Sequence, residues 1–154
     1  VSFRISTETP LSDDVRALVK QLNEFTFELT PAEFRHHMTV EQMAQPDTTL
    51  LVARAVDGAT LGMGALKRHA NGVGEVKRMF VKPEARGLGV GGAILARIED
   101  LARQEGLSCV VLETGSNFDA AKRVYERGGF VTCEPVLDYP PSAWTAFYAK
   151  SLSA

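Results

Sequence analysis

Apolar residues along this chain recur with two different periods, and the changes of period mark out its elements. Phe3 to Ser6 reads as a short first strand, followed by Pro10 and Ser12 as punctuation. From about Asp13 to Glu28, Val15, Leu18, Val19, Leu22 and Phe25 return at helical spacing, the pattern of a helix packed by one face on a sheet. Asp13 and Asp14 suit the positive end of its dipole. Thr30-Pro31-Ala32-Glu33 is a capping box with proline at the first helical position. A second helix is expected to open there and run through Phe34 and Met38, with Pro46 its latest end.

The period shortens from Thr49. Leu50 to Val56 and Thr60 to Lys67 are strand-like runs joined by Asp57-Gly58, a hairpin signal, and Glu75 to Val81 follows the Asn71-Gly72 turn as a third antiparallel strand ending at Lys82-Pro83. Helical spacing returns from Gly91 to about Glu105, with Ile94, Leu95, Ile98, Leu101 and Ala102 on one face and Gly106 as the stop. Cys109 to Leu112 is a short buried strand, Asp119 to Arg127 an amphipathic helix stopped at Gly128-Gly129, and Phe130 to Val136 and Trp144 to Leu152 two final strands. The predicted order is β-α-α-β-β-β-α-β-α-β-β, an α/β arrangement without repeats or low-complexity segments.

Composition narrows the function classes. At 154 residues the length suits one domain, expected over 1–154. With 17 Lys+Arg against 19 Asp+Glu and no basic run, nucleic acid is not an expected partner. The apolar stretch from Leu88 to Ala96 is broken by glycines and far below the roughly 20 residues of a membrane span, so no membrane partner is expected. Cys109 and Cys133 both fall in strand-like runs and read as buried reduced thiols, which suits a cytoplasmic setting. His36, His37 and His69 have no partner at zinc-ligand spacing, so no metal site is expected.

One junction carries chemistry. Between the strand ending near Val81 and the helix opening near Gly91 stands Pro83-Glu84-Ala85-Arg86-Gly87-Leu88-Gly89-Val90-Gly91-Gly92. Glycines let backbone N–H groups converge on an anion, and the first turn of the helix adds unpaired donors and partial positive charge, so phosphate binding is implied. Glycines at such a junction also serve tight turns or close packing alone. No Gly-Lys-Ser or Gly-Lys-Thr follows, which excludes a Walker A loop, and the spacing is not a dinucleotide fingerprint.

Arg86-x-x-Gly89-x-Gly91, with Val81-x-Pro83 before it and an amphipathic helix after it, resembles the coenzyme A site of the GNAT family of N-acetyltransferases. The resemblance covers most of the chain and includes the strand order, Leu112-Glu113-Thr114, and the closing block Tyr125-Glu126-Arg127-Gly128-Gly129-Phe130. It implies a central mixed, mostly antiparallel sheet of about seven strands, splayed between the fourth and fifth, with four helices packed on it. It also implies transfer of an acetyl group from acetyl-CoA to an amine. The pantetheine arm would pair with exposed backbone groups of Phe80, Val81 and Lys82, and the pyrophosphate would sit on amides from Gly87 through Leu88, Gly89, Val90 and Gly91 to Gly92, with Arg86 holding the turn or meeting phosphate.

Attack of a neutral amine on a thioester requires loss of a proton, stabilisation of a tetrahedral oxyanion and protonation of the leaving thiolate. Tyr125 matches the family tyrosine near the coenzyme sulfur and is the implied general acid; its plain role is packing beside Phe130. Two glutamates compete as base. Glu75 lies eleven residues before Arg86, the offset in the histone-acetylating branch, and Glu113 lies twelve before Tyr125, the offset in the branch acetylating ribosomal-protein N-termini. Many family members carry asparagine at the position of Phe118; here Asn117 is one residue early and a candidate for the pantetheine contact.

The acceptor, a small-molecule or protein amine, is left open. In the family it is chosen by the first two helices and the loop joining the last strands, here Phe27, Phe34, His36, His37 and the segment from Leu137 to Ser142. Tyr139 and the histidines are candidates for an acceptor pocket, while Phe27 and Phe34 read more simply as core. Leu-Glu-Thr-Gly and the tyrosine-proline loop resemble a bacterial subgroup without assigned substrates, and the family implies a possible homodimer. Transfer of another acyl group, and a non-catalytic acyl-CoA sensor, are the competing readings.

Overall fold

The computed structural model describes residues 2–29 and 38–152. Seven strands run β1 Phe3–Thr7, β2 Thr48–Ala55, β3 Thr60–Arg68, β4 Val73–Val81, β5 Cys109–Gly115, β6 Val131–Thr132 and β7 Thr145–Ser151. Four α-helices among the described residues are α1 Asp13–Leu29, α2 Val40–Met43, α3 Val90–Gln104 and α4 Asp119–Arg127. The strands form one sheet in the order β1-β2-β3-β4-β5-β7-β6, antiparallel throughout except for the parallel pair β4 and β5. This is the mixed, mostly antiparallel seven-stranded α/β sheet that the family resemblance implies.

Both faces of the sheet are covered, which is why β2 and β3 read as nearly continuous apolar runs. On one face Leu50, Val52, Met63, Ala65 and Phe80 pack with Val15, Leu18, Val19 and Leu22 of α1 and Met43 of α2. On the other, Leu51, Ala53, Leu66 and Val76 pack with Val90, Ile94, Leu95 and Ile98 of α3 and Tyr125 of α4. The alternation within β2 assigns each residue to its face. Burying each large aliphatic side chain contributes roughly 1.5–3 kcal/mol. Arg54 on β2 ties the open end of this arrangement, donating to both Glu8 oxygens at 2.7 and 2.8 Å and to Asp14 at 2.7 Å.

A bulge interrupts β4. Ala65 pairs with Lys77 and Met63 with Phe80, so Arg78 and Met79 together oppose Gly64, and Arg78 takes φ 55°. Gly64 makes room here. A Cβ would press on the Met79 sulfur and stand 2.8 Å from Ile94 Cγ2, so a larger residue would have to displace the side chains that seat the bulged strand on α3.

Several expectations need correction. The capping box Thr30-Pro31-Ala32-Glu33, with Phe34, His36 and His37, lies outside the described residues. Within them, α2 starts from a different capping box: Thr39 accepts from the Gln42 amide at 3.1 Å, and Gln42 accepts from the Thr39 amide at 2.8 Å. The strand expected over Phe130 to Val136 reduces to Val131–Thr132, because Pro135 lacks the N–H that a longer ladder requires. Cys133 is therefore exposed rather than buried, and Cys109 is half-buried. Phe27 is 48% exposed and is not core. Among the described residues no helix is long and apolar enough to cross a membrane, and no group of three or more His, Cys, Asp or Glu is gathered as a metal site.

Candidate active site

The parallel pairing of β4 with β5 stops early. It joins Val73 to Cys109, Gly74 to Val110 and Glu75 to Val111, and goes no further, although β4 continues to Val81 and β5 to Gly115. Beyond Glu75 the strands part. β4 remains bonded to β3 as far as the Val81–Gly62 pair and β5 to β7 as far as Gly115–Thr145, so the facing edges of both strands open onto the gap. A cleft of about 1120 Å³ fills the gap, lined by residues 76–81, Glu113 to Gly115, the glycine turn, and parts of α1 and α4.

The turn sits at one end of this cleft. Gly87 and Gly89 take φ 83° and 82°, a conformation that costs any residue with a Cβ, and Gly89 is the N-cap of α3. The Ala93 amide returns to the Gly89 carbonyl at 3.1 Å, which leaves the N–H groups of Val90, Gly91 and Gly92 as the helix's unpaired first turn. All three residues line the cleft, with Arg86, Gly87 and Gly89. The Arg86 guanidinium lies over the Phe25 ring of α1, 5.7 Å from its centroid, and so links the turn to that helix. Leu88 is 39% exposed and outside the cleft lining.

The main chain of the splayed strand narrows the earlier expectation. The Lys82 N–H is donated to the Leu61 carbonyl and the Lys82 carbonyl accepts from the Ala85 amide, both at 2.9 Å. Lys82 therefore has no exposed backbone groups of the kind expected, and it does not line the cleft. Backbone groups of successive residues point to opposite edges of a strand, so Lys82 and Phe80 address β3 while Val81 addresses the gap.

At the α4 side, Tyr125 is 5% exposed yet lines the cleft, with its ring 6.2 Å from Phe130 and 6.0 Å from Tyr148. Packing beside Phe130 and facing the cleft are thus compatible. Burial pushes its phenol well above the ordinary range, so it remains protonated at any neutral pH. Phe118, at the family's asparagine position, turns inward: its ring meets Phe25 edge-on at 5.3 Å and covers Gly115, where a Cβ would come within 2.6 Å of it. Asn117 stays on the exposed rim of the cleft.

The two glutamates have different surroundings. Glu75 is 2% exposed and is not part of the cleft lining. One of its oxygens is 2.8 Å from His69 Nε2; the other accepts the Tyr139 hydroxyl at 2.6 Å and pairs with Lys77 Nζ at 3.3 Å. Lys77 also donates to the Tyr139 hydroxyl at 2.7 Å. Glu113 lines the cleft. Burial pushes its carboxyl up to about 7; Lys77 opposes that rise and the Glu75 charge adds to it.

Tyr139, a candidate for an acceptor pocket, instead spends its hydroxyl on this network. Lys77, Arg78, Phe25, Trp144 and Thr145 line the cleft and were not picked out from the sequence. Three charged residues, Glu75, Lys77 and Arg78, inside a strand otherwise made of Val, Gly, Met and Phe were the available signal.

Comparison with known proteins gives the family. The profile of the Acetyltransferase (GNAT) family matches residues 16–130, and the chain belongs to that family. An IAA acetyltransferase of Azospirillum brasilense is 41% identical over 149 residues, covering 96% of this chain and 97% of the relative. The N-acetyltransferase YsnE of Bacillus subtilis is 33% identical over 142 residues, covering 89% and 93%. Among solved structures, a Klebsiella pneumoniae protein described as an acyl-CoA N-acyltransferase superposes with a TM-score of 0.83 at 28% identity, covering 98% of both chains. The PaiA N-acetyltransferase from Thermoplasma acidophilum, solved with coenzyme A, shares the fold at a TM-score of 0.74 and 17% identity, covering 98% and 99%.

Proposed function

We propose that this protein moves an acetyl group from acetyl-CoA to a primary amine, with Glu113 as general base and Tyr125 as general acid. The observation that carries this reading is a glutamate facing the opened β4/β5 cleft with its carboxyl held at about 7. A base poised there takes a proton from an ammonium and is ionised often enough at neutral pH to do so. As the amine nitrogen bonds to the acetyl carbon and the carbon–sulfur bond breaks, the Tyr125 hydroxyl supplies the proton that the departing thiolate requires.

Donor binding follows from the main chain. The first-turn amides of Val90, Gly91 and Gly92 suit the pyrophosphate. The gap-facing groups of Val81 suit an amide-bearing pantetheine arm, with Asn117 on the rim as a further contact. Glu75, hydrogen bonded on both oxygens, suits a structural and electrostatic role better than direct proton transfer.

Calorimetry with acetyl-CoA, then an amine panel followed by free-thiol release, tests the proposal. Because the Azospirillum brasilense relative carries the name IAA acetyltransferase, IAA belongs in that panel beside small-molecule and peptide amines. Tight binding without thiol release from any acceptor would favour a sensor, and failure to bind acetyl-CoA would remove both readings.

A further inference from the structure

Arg78 stands apart from the arginines that pair with carboxylates in this fold. Arg54 is answered by Glu8 and Asp14, Arg68 by Glu105 and Arg103 by Glu99. Arg78 is largely buried in the cleft wall, and its one described hydrogen bond goes from Nη2 to the neutral amide oxygen of Asn23 on α1. Its Nε is buried and, among the described residues, has no hydrogen-bond partner. Burial brings its pKa down to about 10, and no acidic group among the described residues offsets that effect. The backbone carrying it is strained as well, at φ 55° within the bulge. A buried cation that no described carboxylate pairs, on a strained residue, is destabilising, so its presence points to a role outside folding.

The surroundings specify what would answer the charge. The guanidinium shares the cleft with Glu113 and with Leu22, Phe25 and Trp144, which form apolar walls. Across it, Thr145 Oγ1 is a second buried polar atom without a hydrogen-bond partner among the described residues. The phosphate cradle occupies the other end, at the start of α3.

We propose that Arg78, held by Asn23, receives a carboxylate of the acceptor, so that the substrate is a small molecule bearing both a primary amine and a carboxylate on an apolar body. This rests on the acetyltransferase reading above. Arginine suits the task because its planar fork offers paired donors to a carboxylate, including the unused Nε–H. The carboxylate would anchor the acceptor while its amine meets Glu113.

Matched acceptors test this: phenylalanine against phenethylamine, and tryptophan against tryptamine, with acetyl-CoA and thiol release as the readout. The carboxylated member is expected to have a kcat/KM at least tenfold higher, and in Arg78→Met that preference ratio should fall by tenfold or more. Asn23→Ala should lower the ratio in the same direction. Arg78→Met should melt no lower than the parent, because it removes a buried charge that no described carboxylate pairs, and this keeps a folding defect separate. Equal turnover of paired acceptors by the parent protein, or equal loss for both in Arg78→Met, would overturn the proposal. If neither acceptor is turned over, calorimetry of N-acetylphenylalanine against its amide on the coenzyme A complex decides. A preference for the acid that Arg78→Met abolishes supports the proposal, and its absence overturns it. Failure to bind acetyl-CoA is a different result and strikes the underlying reading instead.

Discussion

Glu75 and Glu113 stand on the same face of adjacent strands, because Glu75 is in register with Val111 and Glu113 is two residues further along β5. That step along the strand crosses from the last paired position into the splay. Glu75 remains inside a network of His69, Lys77 and Tyr139, while Glu113 enters the cleft. Their proximity still matters, since the Glu75 charge contributes to the raised carboxyl of Glu113.

Glu113→Gln should lower kcat/KM by about 10²–10³, the usual contribution of a positioned base. In the parent protein the rate should climb with pH through about 7, as the carboxyl ionises, and level off above it. The variant should lose that ascending limb. Steady-state rates from pH 5.5 to 9 measure both effects, and an unchanged limb in Glu113→Gln would rule this residue out.

Glu75→Gln separates the two candidates by a shift. Removing the Glu75 charge, and releasing Lys77 from its pair, both favour ionised Glu113, so the ascending limb should move to lower pH. The variant should also lose about 1–3 kcal/mol of stability, because Lys77 loses its paired charge and the amide keeps a single acceptor oxygen where His69 and Tyr139 used two. If Glu75 were the base, the limb would vanish instead of moving.

Tyr125→Phe should lower kcat by about tenfold or more while the affinity for acetyl-CoA changes less than about threefold. Phenylalanine keeps the ring contacts with Phe130 and Tyr148 and deletes only the hydroxyl. Since that phenol remains protonated in the working range, its loss should leave the shape of the pH profile intact. Paired measurements of kcat and coenzyme A binding test the assignment, and an unaffected rate would end it.

Gly89→Ala and Gly92→Ala should part stability from donor binding. Gly89 has φ 82°, so alanine there should cost about 1–2 kcal/mol although no atom lies within 4 Å of its Cβ. Gly92 lies in helical backbone, also with nothing within 4 Å, so alanine should leave the melting temperature unchanged or raise it. A methyl group on the cleft wall at that first turn should still weaken acetyl-CoA binding several-fold. Undiminished affinity in Gly92→Ala would move the pyrophosphate away from the start of α3.

The parts of this architecture legible in the sequence depend on local patterns. Period and punctuation located α1, α3, α4 and the β2–β3 hairpin, since Asp57-Gly58, Gly106 and Gly128-Gly129 act within a few residues of themselves. The donor turn was legible for the same reason. The acceptor side was not, because it is made by long-range placement. Arg78 becomes distinctive only once the bulge opposite Gly64 and the packing of α1 bury it. Nor does an offset along the chain tell whether Glu75 or Glu113 enters the cleft; that follows from where the parallel pairing ends.

Stability should carry the mark of Glu113 independently of catalysis. Its carboxyl is raised from the ordinary 4.5 to about 7 in the folded protein, so between those values the folded chain holds a proton that the unfolded chain has released. Its contribution is therefore fully present below about 4.5 and is lost as the pH rises through about 7. Glu113→Gln has no such loss, and relative to the parent it should gain about 1–2 kcal/mol between pH 5 and pH 8, allowing for partial access of water to the carboxylate. Chemical denaturation of both proteins at the two pH values measures the difference. A gap that does not widen with pH would mean that Glu113 titrates near its ordinary value and is not held as a base poised at neutrality.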